Sequence, residues 1–307
     1  MLASGSLWAQ TRPQYTQYIF NQLVINPAYA GSKGAVSLNA FHRSQWSGLE
    51  GGPQTQTFSV DGITKGDRLG LGIYASRDEI GAQNRKSIEA NASVKIPVSA
   101  TGILSFGIGA GASHYAVDGN KLQTGNDQND PAVISAQKAR TWSPDLRVGA
   151  FFHTERFYAG LSVTDLLGID KDISFDPERA YFLTAGYLVD LGSSIKFKPS
   201  FMLKENFNGP TNIDANAFFL FKERIWLGGT YRTALNIFQG EAKEGDQIGA
   251  KDAVAVMAEL FVTSRLRVGY AHDFTLTELS GFSTHEISVG YNFLKKEKTK
   301  MVTPRYF

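Results

Sequence analysis

Across residues 87–98 apolar and polar side chains alternate without a break. Ile88, Ala90, Ala92, Val94 and Ile96 fall on one phase, and Glu89, Asn91, Ser93 and Lys95 on the other. A helix would spread both kinds around its circumference, so a period of two predicts a strand with one apolar face. The same pattern recurs to the end of the chain, while helical patterns able to cover a sheet are almost absent. Strands of about 9 to 11 residues, apolar on one side and polar on the other, fit an all-β transmembrane barrel with lipid outside and a polar lumen.

Alternation predicts fourteen strands, at 36–46, 54–61, 68–77, 87–98, 102–113, 143–153, 157–165, 179–189, 194–204, 211–221, 224–232, 252–262, 265–273 and 284–293. The fifth is the purest: Leu104, Phe106, Ile108, Ala110 and Ala112 alternate with Ser105, Gly107, Gly109 and Gly111. Its GxGxG run is not followed by a helix, which argues against a phosphate-binding loop; small inward residues make room in a lumen instead. Pro199, inside the ninth strand, lacks a ladder donor and predicts a bulge or irregular pairing there. The links alternate in length: 47–53, 78–86, 114–142, 166–178, 205–210, 233–251 and 274–283 are mostly long, and 99–101, 190–193, 222–223 and 263–264 are tight. The links 62–67 and 205–210 blur the rule, being alike in length. Short periplasmic turns and long outward loops produce this alternation in an antiparallel outer-membrane barrel, and a β-sandwich has no reason to. An even strand number puts both termini in the periplasm.

Residues 14–34 have no period of two, yet Tyr15, Tyr18, Ile19, Phe20, Leu23 and Ile25 are too apolar to float free. The segment is expected to pack across the periplasmic mouth or into the lumen, with Asn26-Pro27 breaking any short helix. The start, MLASGSLWAQ, reads as the tail of a signal peptide ending near Ala9. The expected organisation is thus a signal-peptide remnant at 1–9, an N-terminal periplasmic or plug segment at 10–35, a barrel at 36–293 and a periplasmic tail at 294–307.

Charge adds little at first: 31 Lys and Arg balance 29 Asp and Glu, which removes a general electrostatic argument for nucleic acid. The placement of charge says more. Arg43, Glu89, Lys95, Asp145, Arg147, Asp214, Arg232, Glu259, Arg265, Arg267 and Glu286 fall on the polar phase of their strands. Facing midplane lipid, each Arg or Lys would cost about 2–4 kcal/mol, so all should face the lumen. Their mixed signs favour a paired, filled interior over an ion-selective pore.

Candidate chemistry is sparse. The chain has no cysteine, and His42, His114, His153, His272 and His285 show no close ligand spacing, so neither a metal nor a cofactor is expected. No GxSxG or comparable nucleophile arrangement stands out, and no enzyme activity is expected. The run at 126–130, NDQND, supplies hard oxygens but lacks the glycine and closing glutamate of an EF-hand. Two outward loops mix charge with apolar residues, Val133 and Ile134 in one and Leu235, Ile237 and Phe238 in the other; these are the candidate partner-binding residues.

Several motifs together resemble a known family. They are Gln17-Tyr18 through Asn26-Pro27-Ala28-Tyr29-Ala30-Gly31, Pro199-Ser200, Gly228 to Tyr231-Arg232, Gly269-Tyr270-Ala271-His272-Asp273-Phe274, Thr284-His285-Glu286-Ile287 and the terminal Pro304-Arg305-Tyr306-Phe307. The chain resembles the PorP/SprF family of type IX secretion and gliding-motility proteins of Bacteroidetes over essentially its whole mature length. His272 departs from the pattern, where an aromatic is more frequent. The resemblance implies a non-enzymatic outer-membrane barrel that anchors a secreted adhesin or surface protein through its C-terminal domain. The alternatives are a core secretion component contacting periplasmic, peptidoglycan-linked lipoproteins, and a fourteen-stranded diffusion or fatty-acid channel.

Overall fold

The computed structural model describes residues 16–118, 121, 140–167, 179–235, 237–238, 251–276 and 281–293. Fourteen strands follow one another in sequence order. They are β1 (Val36–Ser47), β2 (Gln54–Ile63), β3 (Leu69–Ile80), β4 (Gln83–Pro97), β5 (Ile103–Val117), β6 (Arg140–His153) and β7 (Phe157–Thr164). β8 (Ala180–Tyr187) resumes after Leu188 as Val189–Asp190. Then come β9 (Ile195–Glu205), β10 (Thr211–Phe221), β11 (Ile225–Leu235), β12 (Lys251–Phe261), β13 (Leu266–Thr275) and β14 (Ser283–Phe293). Every strand pairs antiparallel with the next, and β14 returns to β1 from Val36 opposite Phe293 to Arg43 opposite Glu286. The sheet is therefore a closed fourteen-stranded barrel with no free edge.

The alternation of the sequence maps onto the wall. Leu71, Ile73, Ile88, Val94, Phe106, Ile108, Val256 and Val289 point outward and are exposed, whereas their neighbours Gly72, Glu89, Ser93 and Ser105 are buried inside. A soluble protein could not leave such a band in water; in a bilayer it meets acyl chains.

Strand boundaries differ from the sequence pattern mainly on the loop side. Residues 78–86 are expected as a loop, but β3 and β4 continue their pairing to Ile80 opposite Gln83, leaving only Gly81 and Ala82 between them. β5 likewise runs on to Val117, and β6 starts at Arg140. Beyond the lipid the outward positions become polar, so the hydropathy signal disappears although the backbone ladder goes on. At Pro199 the irregularity falls on the neighbour. β9 keeps an unbroken register with β10, including Pro199 opposite Ala217, while its pairing with β8 lapses between Ser200–Gly186 and Phe197–Val189. The missing proline N–H faces that gap, where Leu188 donates to the Arg156 carbonyl on the other side.

Candidate functional site: a filled lumen below an apolar rim

Residues 16–35 occupy the barrel interior. They form three short 3-10 turns, Thr16–Phe20, Gln22–Val24 and Pro27–Tyr29, and nearly all their side chains are buried. Thr16 lies level with Arg43, Asp273 and Glu286, in the half of the barrel nearest the long loops. Ala30 and Gly31 lie against Gly70 and Gly62, at the turn end. The described segment thus descends the lumen before β1 begins, instead of lying across the periplasmic mouth.

The wall is cut to receive this segment. A Cβ on Gly70 would sit 2.0 Å from the Ala30 carbonyl oxygen, one on Gly107 2.3 Å from the Ala28 nitrogen, and one on Gly149 2.2 Å from Asn26 Oδ1. Asn26 also caps the third turn: its Oδ1 accepts the Ala28 N–H at 2.9 Å while Nδ2 donates to the Ala150 carbonyl at 3.0 Å. Ser162 donates to the Ile25 carbonyl at 2.6 Å and Ser93 to that of Ala30 at 2.8 Å. Gly31, at φ +68°, donates its N–H to Asp61 Oδ2 at 2.8 Å; only glycine adopts that backbone cheaply so close to the wall. Tyr18 accepts from Asn216 Nδ2 at 2.9 Å. Phe20 packs edge-on to Phe218, and Tyr29 edge-on to Phe151. Buried backbone groups need partners, and here the barrel wall supplies many of them.

The inward charges form two tiers around the segment. In the loop-side tier Arg43 lies 2.8 Å from Asp273 and 3.1 Å from Glu286, and Glu286 accepts the Thr16 and Gln17 N–H groups, each at 2.9 Å. Arg232 grips Asp214 in a two-point pair at 2.9 and 3.1 Å. Arg147 binds Glu89 at 2.6 Å and lies 3.6 Å from Asp145. In the turn-side tier Arg267 pairs with Glu259 at 3.2 Å and donates to the Phe20 carbonyl at 3.2 Å. Lys95 donates to Ser32 at 3.1 Å. Lys33, Asp61 and Asp273 belong to these tiers too and were not among the expected lumen charges, whereas Lys198 faces inward as the polar phase of its strand predicts. Lys198 sits over the rings of Phe20 and Trp226, 5.6 and 5.2 Å from their centroids. Arg265 departs from expectation, because it lies exposed in the turn before β13. Charges buried this deeply are tolerable only when paired and hydrogen-bonded.

Above the filled section a small cavity of about 40 Å³ remains on the loop side, lined by Tyr18, Val24, Ile25 and Phe182 among others. The rim beside it carries an apolar cluster. Leu235 ends β11, and Ile237 and Phe238 follow, all exposed. Phe207, which sequence reasoning missed, is 54% exposed and joins them: its ring lies 5.7 Å from that of Phe238 and 5.2 Å from that of Tyr181. The Phe207 loop is preorganised. Glu205 Oε1 accepts the N–H groups of Asn206 and Phe207 at 3.0 and 2.6 Å, holding Phe207 at φ +60°. A lone aromatic between Asn206 and Asn208 in a tight polar loop is the only sequence signal for it. Val133, Ile134 and residues 126–130 lie outside the described residues. His272 and His285, thirteen positions apart, face each other outside the barrel with ring centroids 4.8 Å apart. Among the described residues no group of three or more His, Cys, Asp or Glu could hold a metal ion.

The sequence matches the family described as type IX secretion system membrane protein PorP/SprF over residues 7–291. No curated protein matches it significantly. Solved structures with a similar outline include the outer membrane protein Omp33 of Acinetobacter baumannii (9% identity, 85% of this chain and 100% of that one, TM-score 0.47). Others are a deletion mutant of the monoaromatic hydrocarbon channel TodX (12%, 87% and 92%, 0.48) and the KdgM porin (10%, 84% and 100%, 0.40).

Proposed function

Because the chain belongs to the PorP/SprF family of type IX secretion system membrane proteins, we propose that this outer-membrane barrel holds a secreted adhesin or surface protein at the cell surface through that protein's C-terminal domain. The apolar rim carries the reading. Phe207, Leu235, Ile237 and Phe238 are large and exposed on the loop side, and the rings of Phe207 and Phe238 pack edge-on. Aromatic residues held rigidly on an otherwise polar surface are the usual core of a protein interface. The filled lumen supports the same reading from the other direction, since a barrel occupied by its own segment is poorly suited to diffusion.

A second face favours contact with periplasmic lipoprotein components as the alternative role. On the turn side Asp190 pairs with Arg156 at 2.7 Å and with Lys196 at 2.6 Å, and Lys196 lies 3.5 Å from Glu223. Such exposed pairs contribute little to stability, which leaves them available to a partner.

The test is affinity purification from native outer membranes with mass spectrometry, comparing the unaltered chain with Phe207→Ala/Phe238→Ala. Recovery of a large secreted protein, lost in the double variant, supports anchoring. Recovery of periplasmic lipoproteins alone moves the assignment to a core secretion component.

A further inference from the structure

The outer wall of β1 to β6 carries an unusual row at the loop-side edge of its apolar band. Reading across the ladders, one row runs Val289, Ala40, Phe58, Ala75, Ile88 and Ala112, all suited to lipid. The next outward row toward the loops runs Ile287, His42, Gln56, Arg77, Lys86, His114 and Trp142. One step along the strands thus replaces hydrocarbon-facing residues by two permanent cations flanked by two imidazoles and closed by an indole.

Arg77 and Lys86 are direct cross-strand partners. Like charges in that position repel and destabilise a sheet unless something anionic lies between them. Glu79, two residues beyond Arg77, accepts hydrogen bonds from Arg77 and from Asn84, the latter at 2.6 Å. Glu79 is displaced toward the loops and is shared with Asn84 and with the nearby charge of Lys121. The Arg77 side chain remains 50% exposed and Lys86 is exposed. His114 packs against Trp142 with ring centroids 4.9 Å apart and planes tilted by 55°, and Trp142, itself exposed, marks the depth at which amphipathic rings meet headgroups. On β4 the ten residue steps from Lys86 to Ile96 cover about 33 Å along the strand, or about 25 Å along the membrane normal at a tilt of about 40°, which is the height of the apolar band. Lys86 and Arg77 therefore stand at headgroup height in the leaflet that faces the long loops.

We propose that this row binds the phosphorylated headgroup of an outer-leaflet glycolipid, with Arg77 and Lys86 on the phosphate oxygens, His42 and His114 as flanking donors and Trp142 against the sugar or proximal acyl region. The wall thereby acquires a fixed annular lipid beside the loop-side surface. Arginine and lysine are suited to phosphate by charge and donor geometry, and an ammonium or guanidinium near an anionic surface adds attraction that neutral side chains lack.

The probe is lipid A in phosphatidylcholine nanodiscs containing the full chain, with retention of lipid adducts read by native mass spectrometry. Heat-modifiable gel mobility establishes that each variant is folded. Arg77→Gln/Lys86→Gln should lower retention on the order of tenfold. Arg77→Lys/Lys86→Arg should restore it, and Lys65→Gln/Arg68→Gln, which removes the same charge at the turn side, should leave it unchanged. Enzymatically dephosphorylated lipid A should behave like phosphatidylcholine. Equal retention in the folded Arg77→Gln/Lys86→Gln variant overturns the proposal. So does displacement by an excess of inorganic phosphate alone, which would make the row a general anion site.

Discussion

Arg147 on β6 reaches Glu89 on β4, 2.6 Å away, across the inner face of the strand that separates them. The pair exists because β5 has no side chains in the way. A Cβ on Gly109 would lie 2.6 Å from Arg147 Cγ, and one on Gly111 would lie 2.6 Å from Glu89 Cγ. Gly107, the third member of the run, clears the backbone of Ala28 instead. The GxGxG stretch of β5 is therefore a passage for a buried ion pair and for the inner segment.

Gly109→Ala should disturb Arg147 and Asn91 together, costing about 1–3 kcal/mol by overpacking and more where the buried pair is broken. The adjacent Ala110→Leu, on the lipid-facing phase, should be nearly neutral. Urea unfolding of the barrel in micelles checks the contrast; equal losses at the two positions would refute the passage.

The filled lumen should make the unaltered protein electrically quiet in planar bilayers. Deleting residues 10–34 removes the inner segment with the hydrogen bonds of Asn26, Ala30 and Gly31, and should produce frequent openings. Stable, large channels in the unaltered chain, unchanged by the deletion, would establish an open pore.

Glu286 holds the loop-side end of the segment by accepting the Thr16 and Gln17 N–H groups and facing Arg43. Glu286→Gln leaves Arg43 paired with the Asp273 carboxylate and hydrogen-bonded to Thr16 Oγ1, and weakens both backbone bonds. Amide exchange at residues 16–20 should accelerate about 100-fold, corresponding to roughly 3 kcal/mol for a disrupted buried charge network. Amides at 26–31, held by other strands, should change much less. Uniform acceleration along the segment would mean that it opens as one unit.

Because the chain lacks cysteine, single substitutions report orientation cleanly. Asn208→Cys, in the exposed loop after β9, should react with an impermeant maleimide on intact cells. Lys222→Cys, in the tight turn after β10, should react only after the outer membrane is permeabilised. The reverse pattern would invert the barrel.

The strand pattern, the strand count and the outward band were legible from period-two alternation, because lipid imposes a hydropathy rule on every second residue at membrane depth. The polar phase of Glu89, Arg147, Asp214 and Glu259 was legible for the same reason. Alternation falls silent where both faces are polar, so the extension of β3 and β4 to Ile80 and Gln83 required backbone pairing. It is also silent on segments without a period: the path of residues 16–35 depends on contacts with Gly70, Gly107 and Gly149, which lie far apart in the chain and meet only when the barrel closes. The same closure decided which charges pair. Arg43 with Glu286 and Arg147 with Glu89 are distant in sequence, and register alone brings them together. Phe207 joined Phe238 at the rim for the same reason. Local alternation specifies the faces of each strand, whereas ring closure determines what those faces enclose.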